Sequence, residues 1–206
     1  MRNLKPKNKI ARREGIDMGF KTPGSKSHAS LLKRMNIQPG EHGVSRRKKQ
    51  SEQRKQLREK QKLRLLFGLS ERQLKNYFNK AKEKKGNTSY LLIKYLEKRV
   101  DNIVYRLGFA PTKNSARQLV VHKHIKVNDK VVNSPSYQVK IGDNIELADE
   151  KTKKIPYIEV QLSNKDIVIP KWLKIINNKG KVIAEPASED IEKQVDLRSV
   201  VEFYSR

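Results

Sequence analysis

The chain contains no cysteine, which excludes disulfides, zinc ribbons and thiol nucleophiles as structural or catalytic devices. Aromatic residues are scarce at 6%, with a single tryptophan, and only 35% of residues are apolar. Globular domains usually reach about 45–50% once glycine is counted with the apolar set. Long hydrophobic runs are missing as well. No stretch approaches the roughly eighteen apolar residues of a membrane span, and the N-terminal MRNLKPKNKIARREG has no apolar centre of the kind a secretory signal needs. The last scarcity is acid: 22 Asp and Glu stand against 47 Lys and Arg, a formal net charge of +25 on 206 residues. A soluble intracellular protein is expected, with a polyanion as the first partner to consider. Nucleic acid comes ahead of an anionic membrane surface, and no membrane insertion is expected. The thin apolar content implies that parts of the chain order only against that partner.

What is present is unevenly spread. Residues 1–90 hold 26 Lys and Arg against 7 Asp and Glu, so the N-terminal half carries most of the excess charge. Residues 1–45, interrupted by Gly15, Gly19, Gly24, Gly40 and Gly43 and lacking apolar periodicity, read as an extended basic segment with at most short helical turns. From Arg46 to Phe67 the run RRKKQSEQRKQLREKQKLRLLF has no helix breaker and reads as one basic helix ended by Gly68. Ser70 with Gln73 forms a capping-box pattern, followed by Leu74, Tyr77, Phe78 and Ala81 on one helical face. A third helix is expected over about 88–107, with Leu92, Leu96, Val100, Ile103, Val104 and Leu107 as its stripe.

Thr112 can cap a short helix whose inner face is Ala116, Leu119 and Val120, running to about His122. The period then changes from 3.6 to 2, with Ile125 and Val127, a turn at Asn128 and Asp129, and a return at Val131 and Val132. Ile145 to Leu147 reads as a further strand. Residues 149–154, DEKTKK, read as a charged linker, and 158–162, 167–169 and the stretch from Trp172 to Ile176 as strand-like runs. A turn at 178–180 and an acidic patch at Glu189, Asp190 and Glu192 follow. The closing VVEFYSR is apolar enough to dock on the rest of the chain.

Three clusters carry candidate chemistry. Lys113 and Arg117 share a helix face, and Lys123 and Lys126 continue the line onto the hairpin, which makes a basic ridge suited to a phosphate backbone. His122 and His124 lie within that ridge. A metal reading fails for want of a third ligand, since His28 and His42 are distant in sequence, whereas uncharged histidines can stack on or hydrogen-bond to RNA. Arg46, Arg47, Lys48 and Lys49 form a run of four cations that could equally be a localisation signal or a tail, but opens what reads as a basic helix. The triplet Arg99, Val100, Asp101 imitates the catalytic motif of pseudouridine synthases. With Val100 on the buried stripe, Asp101 is expected to be a helix-surface or capping charge. No catalytic residue, metal ligand or cofactor site is expected.

The stretch LEKRVDNIVYRLGFAPTKNSARQLVVHKHIKVNDKVVNSPSYQVKIGDNIEL at 96–147 resembles the RNA-binding domain of the bacterial-type small-subunit ribosomal protein S-four family. That domain also occurs in pseudouridine synthases and tyrosyl-tRNA synthetases. The motifs RREG at 12–15, PGEHG at 39–43, LREKQKLR at 57–64, ERQLKNYF at 71–78, KGNT at 85–88 and the final VEFYSR are similar to the same family in the same order. The resemblance implies an α+β fold. An extended basic N-terminal segment (1–45) precedes a helical domain (46–93, completed by 155–206), into which a small helix–helix–β-hairpin RNA-binding domain (94–154) is inserted.

It further implies a non-enzymatic ribosomal protein of the small (30S) subunit, a primary binder of a junction in the 16S rRNA 5′ domain that nucleates ribosome assembly. Contact with messenger RNA (mRNA) where it enters, with ribosomal protein S-five, and an influence on translational accuracy are also implied. The setting is cytoplasmic, an organellar ribosome being left open. RNA-facing residues are then expected at Arg12, Arg13, Arg46, Arg47, Lys48, Lys49, Arg54, Arg58, Lys62, Arg72, Lys113, Arg117, His122, Lys123, His124 and Lys126. Some members hold zinc through four N-terminal cysteines. Asn8 and Ala11 occupy the first two of those places, so the chain resembles the zinc-free form. An RNA-modifying enzyme carrying the same domain, and a general basic chaperone or DNA-binding protein, are the competing classes.

Overall fold

A computed structural model describes residues 6–43, 50–163, 167–176, 179–186 and 194–205. The basic run at 46–49 and the acidic patch at Glu189, Asp190 and Glu192 lie outside them. Two compact units are present, one made of 1–92 with 188–206 and the other of 93–187.

The first unit is helical. Its N-terminal part contains α1 (Lys7–Glu14) and α2 (Lys26–Lys33), two helices where irregular chain was expected. Both are eight residues long, too short for a periodic signal, and their ends are set locally. Gly15 closes α1 in the left-handed conformation, and the Ser25 side chain accepts from the His28 amide to start α2. Ile10, Ala11, Met18 and Leu31 are buried there, and Asp17 meets His28 at 2.7 Å.

α3 (Glu52–Leu66) begins at Ser51, whose side chain accepts from the Arg54 amide, and α4 (Glu71–Lys82) has the expected Ser70–Gln73 capping box in full. Gln56, Lys60, Leu63 and Leu66 of α3 and Leu74, Phe78 and Ala81 of α4 are buried. The last described helix, α10 (Leu197–Ser205), packs mainly on α3. Gln56 donates to Glu202 at 2.9 Å, and the ring of Tyr204 stacks on Phe78 with centroids 4.9 Å apart. Lys60 places its ammonium 4.4 Å from the Phe203 ring centroid and donates to Glu71 at 2.7 Å. Tyr204 donates to the same Glu71 oxygen at 2.8 Å. Burial works against the Glu71 charge, but the hydrogen bonds from Lys60 and Tyr204 outweigh it and hold the carboxyl below its ordinary value. Burial, and then the bond to Glu71, push the Tyr204 hydroxyl far above the usual tyrosine range.

The helix expected over 88–107 is two helices, α5 (Thr88–Glu97) and α6 (Val100–Arg106). Arg99 is extended and bridges to Gln138, with the Val100 amide donating to the Tyr137 carbonyl at 2.9 Å. Tertiary backbone pairing thus overrides the periodicity. The rest of the second unit comprises α7 (Lys113–Val121), β1 (Ile125–Val127), β2 (Lys130–Val131), β3 (Asn144–Leu147), α8 (Glu150–Lys153), α9 (Pro156–Ser163), β4 (Leu173–Ile176) and β5 (Lys179–Val182). The strands form one antiparallel sheet in the order β2-β1-β3-β5-β4. Val100, Ile103, Leu107, Phe109, Leu119, Ile125, Val127, Ile145, Leu147, Leu173 and Val182 belong to one core between the sheet's inner face and the helices.

Five details of this region differ from the sequence reading. The charged linker at 149–154 contains α8, and the strand-like 158–162 is the helix α9, begun by Pro156 at its first position. Residues 167–169 are irregular, and of the turn at 178–180, Lys179 and Gly180 belong to β5 while 178 lies outside the described residues. The segment 155–187 falls within the second unit because β5 pairs with β3, so only the chain beyond 187 completes the helical unit. Gly180 is needed at that seam. A β-carbon there would lie 2.2 Å from Leu107 Cδ1, with the other methyl at 2.8 Å, so only the bare backbone lets β5 lie over the end of α6.

Candidate nucleic-acid interface

The basic ridge is built on α7 and the chain that leaves it. Thr112 and Ser115 form a reciprocal capping box that fixes the start of α7, and Ala116, Leu119 and Val120 bury its inner face. At the other end the Lys123 amide donates to the Val120 carbonyl at 3.0 Å and the His124 amide to the Leu119 carbonyl at 2.9 Å. This is a Schellman ending, whose left-handed residue is usually glycine. Here it is Lys123, at φ 64°. The strain of about 1–2 kcal/mol for a side chain in that conformation is accepted at a position where the lysine is exposed to solvent.

Around it the histidines are held parallel. The rings of His122 and His124 lie 6.3 Å apart at 6°. His124 is anchored, its Nδ1 standing 3.0 Å from the Oγ1 of buried Thr152 in α8 and its carbonyl accepting from the Ala148 amide at 2.9 Å. Lys126, one step along β1, donates to the Ala148 carbonyl at 2.8 Å, which fixes its position and leaves its charge. The turn after β1 places Asn128 and Asp129 at φ 47° and 63°, the doubly left-handed geometry of a tight hairpin. Asn128 donates to Asp143 at 2.8 Å and accepts from the Asn144 amide at 2.9 Å, tying that turn to β3.

Arg117 and Lys113 are less free than a solvated ridge suggests. Lys113 lays its ammonium 5.5 Å from the Tyr105 ring centroid, and Arg117 reaches Asp101 at 3.3 Å while remaining 39% exposed. Asp101, expected as a helix-surface or capping charge, is in the first turn of α6 but buried. Its side chain is 8% exposed and accepts two hydrogen bonds, at 3.0 and 2.7 Å, from Arg99, which is 1% exposed. A carboxylate enclosed by two guanidinium groups has no open position for a substrate base, so the likeness to a catalytic motif ends at the letters.

In the helical unit the expected contact residues divide. Arg12 donates to the Ile37 and Gln38 carbonyls, at 3.0 and 3.2 Å, and fastens the 34–38 turn to α1. Arg58 donates to the Arg13 carbonyl at 2.6 Å and pairs with Glu14 at 3.2 Å. Burial keeps that Glu14 carboxyl above its ordinary value in spite of the guanidinium beside it. Lys62 pairs with Glu59 at 2.5 Å. Arg12 and Arg58 thus link elements of the fold and Lys62 is paired within α3, whereas Arg13, Arg54 and Arg72 stand exposed.

Sequence reasoning passed over the sheet's outward face. Lys174, Lys179 and Lys181 are exposed on it, beside Lys126, and the acid that shares their rows, Glu146, is taken by Lys179 at 2.7 Å, with Asp129 close by. That hydrogen bond holds Glu146 below its ordinary value. The signal was legible in principle, since lysines alternate with small or apolar residues in KGKV and WLKII. Among the described residues, no three His, Asp or Glu side chains group as a metal site, and no helix is long and apolar enough to cross a membrane.

Comparison with known proteins assigns the two units. Residues 98–145 match the family model described as S4 domain, which contains α6, α7, β1 and β2. Residues 2–97 match the model of the ribosomal protein S4/S9 N-terminal domain. The small ribosomal subunit protein uS4 of Aquifex aeolicus is 46% identical over 213 residues, covering 100% of this chain and 99% of that protein. Those of Syntrophus aciditrophicus and Halothermothrix orenii are 44% and 43% identical, covering 96% and 98% of this chain and 96% and 97% of their own lengths. With both units matched in order and relatives alike from end to end, the chain belongs to the uS4 family of small ribosomal subunit proteins.

Proposed function

We propose that the chain is a structural, non-enzymatic RNA-binding protein of the small ribosomal subunit. It grips the junction in the 5′ domain of 16S rRNA and, by doing so early, nucleates subunit assembly. The observation that carries this reading is the α7–β1 edge. A lysine held in a conformation that favours glycine, between two parallel histidines and beside a lysine fixed by a backbone carbonyl, is a pre-set cationic edge on a packed domain. Affinity comes from phosphate neutralisation by Lys and Arg. Residues 46–49 meet incoming mRNA, ribosomal protein S-five is a neighbour, translational accuracy is influenced through these contacts, and the setting is the cytoplasmic ribosome.

The test is binding of the full chain to a 16S 5′-domain transcript and to transfer RNA over a salt series. The transcript is expected to bind far more tightly at moderate salt. Lys113→Gln with Lys123→Gln is expected to weaken that binding and flatten its salt dependence by a slope of about 1.4–1.8 for two lost contacts. Equal binding of both RNAs at every salt concentration would refute the reading.

A further inference from the structure

Strands β1, β3, β5 and β4 present two outward rows of side chains. In the first, Lys174 of β4 is the direct partner of Lys181 of β5, which is the direct partner of Asn144 of β3. In the second, two residues along each strand, Ile176 is the partner of Lys179, and Glu146 of Lys126. Their strand neighbours Leu173, Val182, Ile145, Leu147, Ile125 and Val127 are buried, which fixes these rows on the outer face.

Directly opposed side chains in an antiparallel pair have β-carbons about 4.5–5.5 Å apart, and like charges so placed destabilise a sheet. Lys174 and Lys181 are placed in this way and exposed. The acids that could relieve them are engaged elsewhere. Glu146 holds Lys179 in the second row, where Asp129 also acts on that lysine, and Asp143, next to Asn144, accepts from Asn128 and from the Lys140 amide. The face is thus charged against its own stability.

We propose that this outward face is a second RNA-binding surface, on which Lys174 and Lys181 jointly take the phosphates of one stretch of backbone. The inference rests on the reading of the chain as an RNA-binding protein, but uses other residues. Both matched family models end before β4 and β5 begin. Continuity supports it, because Lys126 belongs both to the α7–β1 edge and to the second row of this face. Chemistry supports RNA over a protein partner: the first row is Lys, Lys and Asn, and the one apolar side chain of the second, Ile176, stands half exposed on the edge strand with only charged partners in its row. That neutralises a polyanion but offers no buried centre for a protein interface.

The experiment measures binding of the full chain to a 16S 5′-domain transcript against salt concentration. Lys174→Gln with Lys181→Gln is expected to reduce the slope of log K against log salt by about 1.4–1.8, the value for two lost phosphate contacts. Lys174→Arg with Lys181→Arg is expected to keep the wild-type slope. The melting temperature of the free Gln variant is expected to equal or exceed that of the wild type, which separates lost contact from lost fold.

An unchanged slope in the Gln variant, beside a reduced slope in Lys113→Gln with Lys123→Gln, would remove this face while leaving the parent reading intact. Loss of the wild type's preference for the transcript over transfer RNA would remove the parent reading instead. Protection of Lys174 and Lys181 from acylation by polyglutamate but not by the transcript would assign the face to an acidic protein and overturn the proposal.

Discussion

Lys123 sets stability against function in a single residue. It occupies the left-handed position of a helix ending where glycine carries no steric penalty, and its side chain makes no core contact in return. Lys123→Gly is therefore expected to raise the unfolding free energy by about 0.5–1 kcal/mol, read by urea denaturation, while weakening RNA binding. Asp101 predicts the opposite. It is the counter-charge that makes a buried Arg99 tolerable, so Asp101→Asn is expected to cost about 3–5 kcal/mol and to lower the melting temperature sharply. The sequence showed which residues carry charge on this edge and that Val100 faces inward. It did not show that Asp101 is enclosed, because the partner that encloses it is extended at Arg99, where the helical pattern continues unbroken on paper.

At the scale of elements, what could be read was whatever is decided locally. The capping box at Ser70 and the cap at Thr112 are written within four residues and both formed, Ser115 adding at Thr112 a reciprocal bond that was not read. Elements decided by distant partners were misread. The break between α5 and α6 depends on the Tyr137 carbonyl, and YIEVQL in α9, rich in strand-favouring residues, becomes a helix with Ile158 buried in the core. The same distinction governs α10. It is held to α3 and α4 by side chains more than a hundred positions away, through Gln56–Glu202 and the cluster of Lys60, Glu71 and Tyr204. Glu71 is held below its ordinary value of 4.5. Its contribution is therefore fully present above that pH and is lost as pH falls through the lower folded-state value. Acid titration below about 4.5 is expected to weaken the hold on α10, measured as a loss of amide exchange protection in residues 197–205.

For the whole molecule the governing number is the net charge of +25. Self-repulsion destabilises a free chain of that charge, whereas the same charge drives association with RNA. The two respond to salt in opposite senses: rising salt is expected to raise the melting temperature of the free protein and to weaken its binding to RNA, so calorimetry and titration over one salt series should diverge. Composition alone pointed to the polyanion partner, since counting charges needs no structure. It did not show where the units divide, because that is set by β5 pairing with β3 and by the chain beyond 187 returning to α3. That return has a consequence for the order of folding. The second unit is one continuous stretch, 93–187, and takes all its partners from within it, whereas α3 waits for 197–205, a segment made after the whole of that stretch. The helical frame, although most of it is made first, is therefore the unit that cannot be closed until the other has been synthesised.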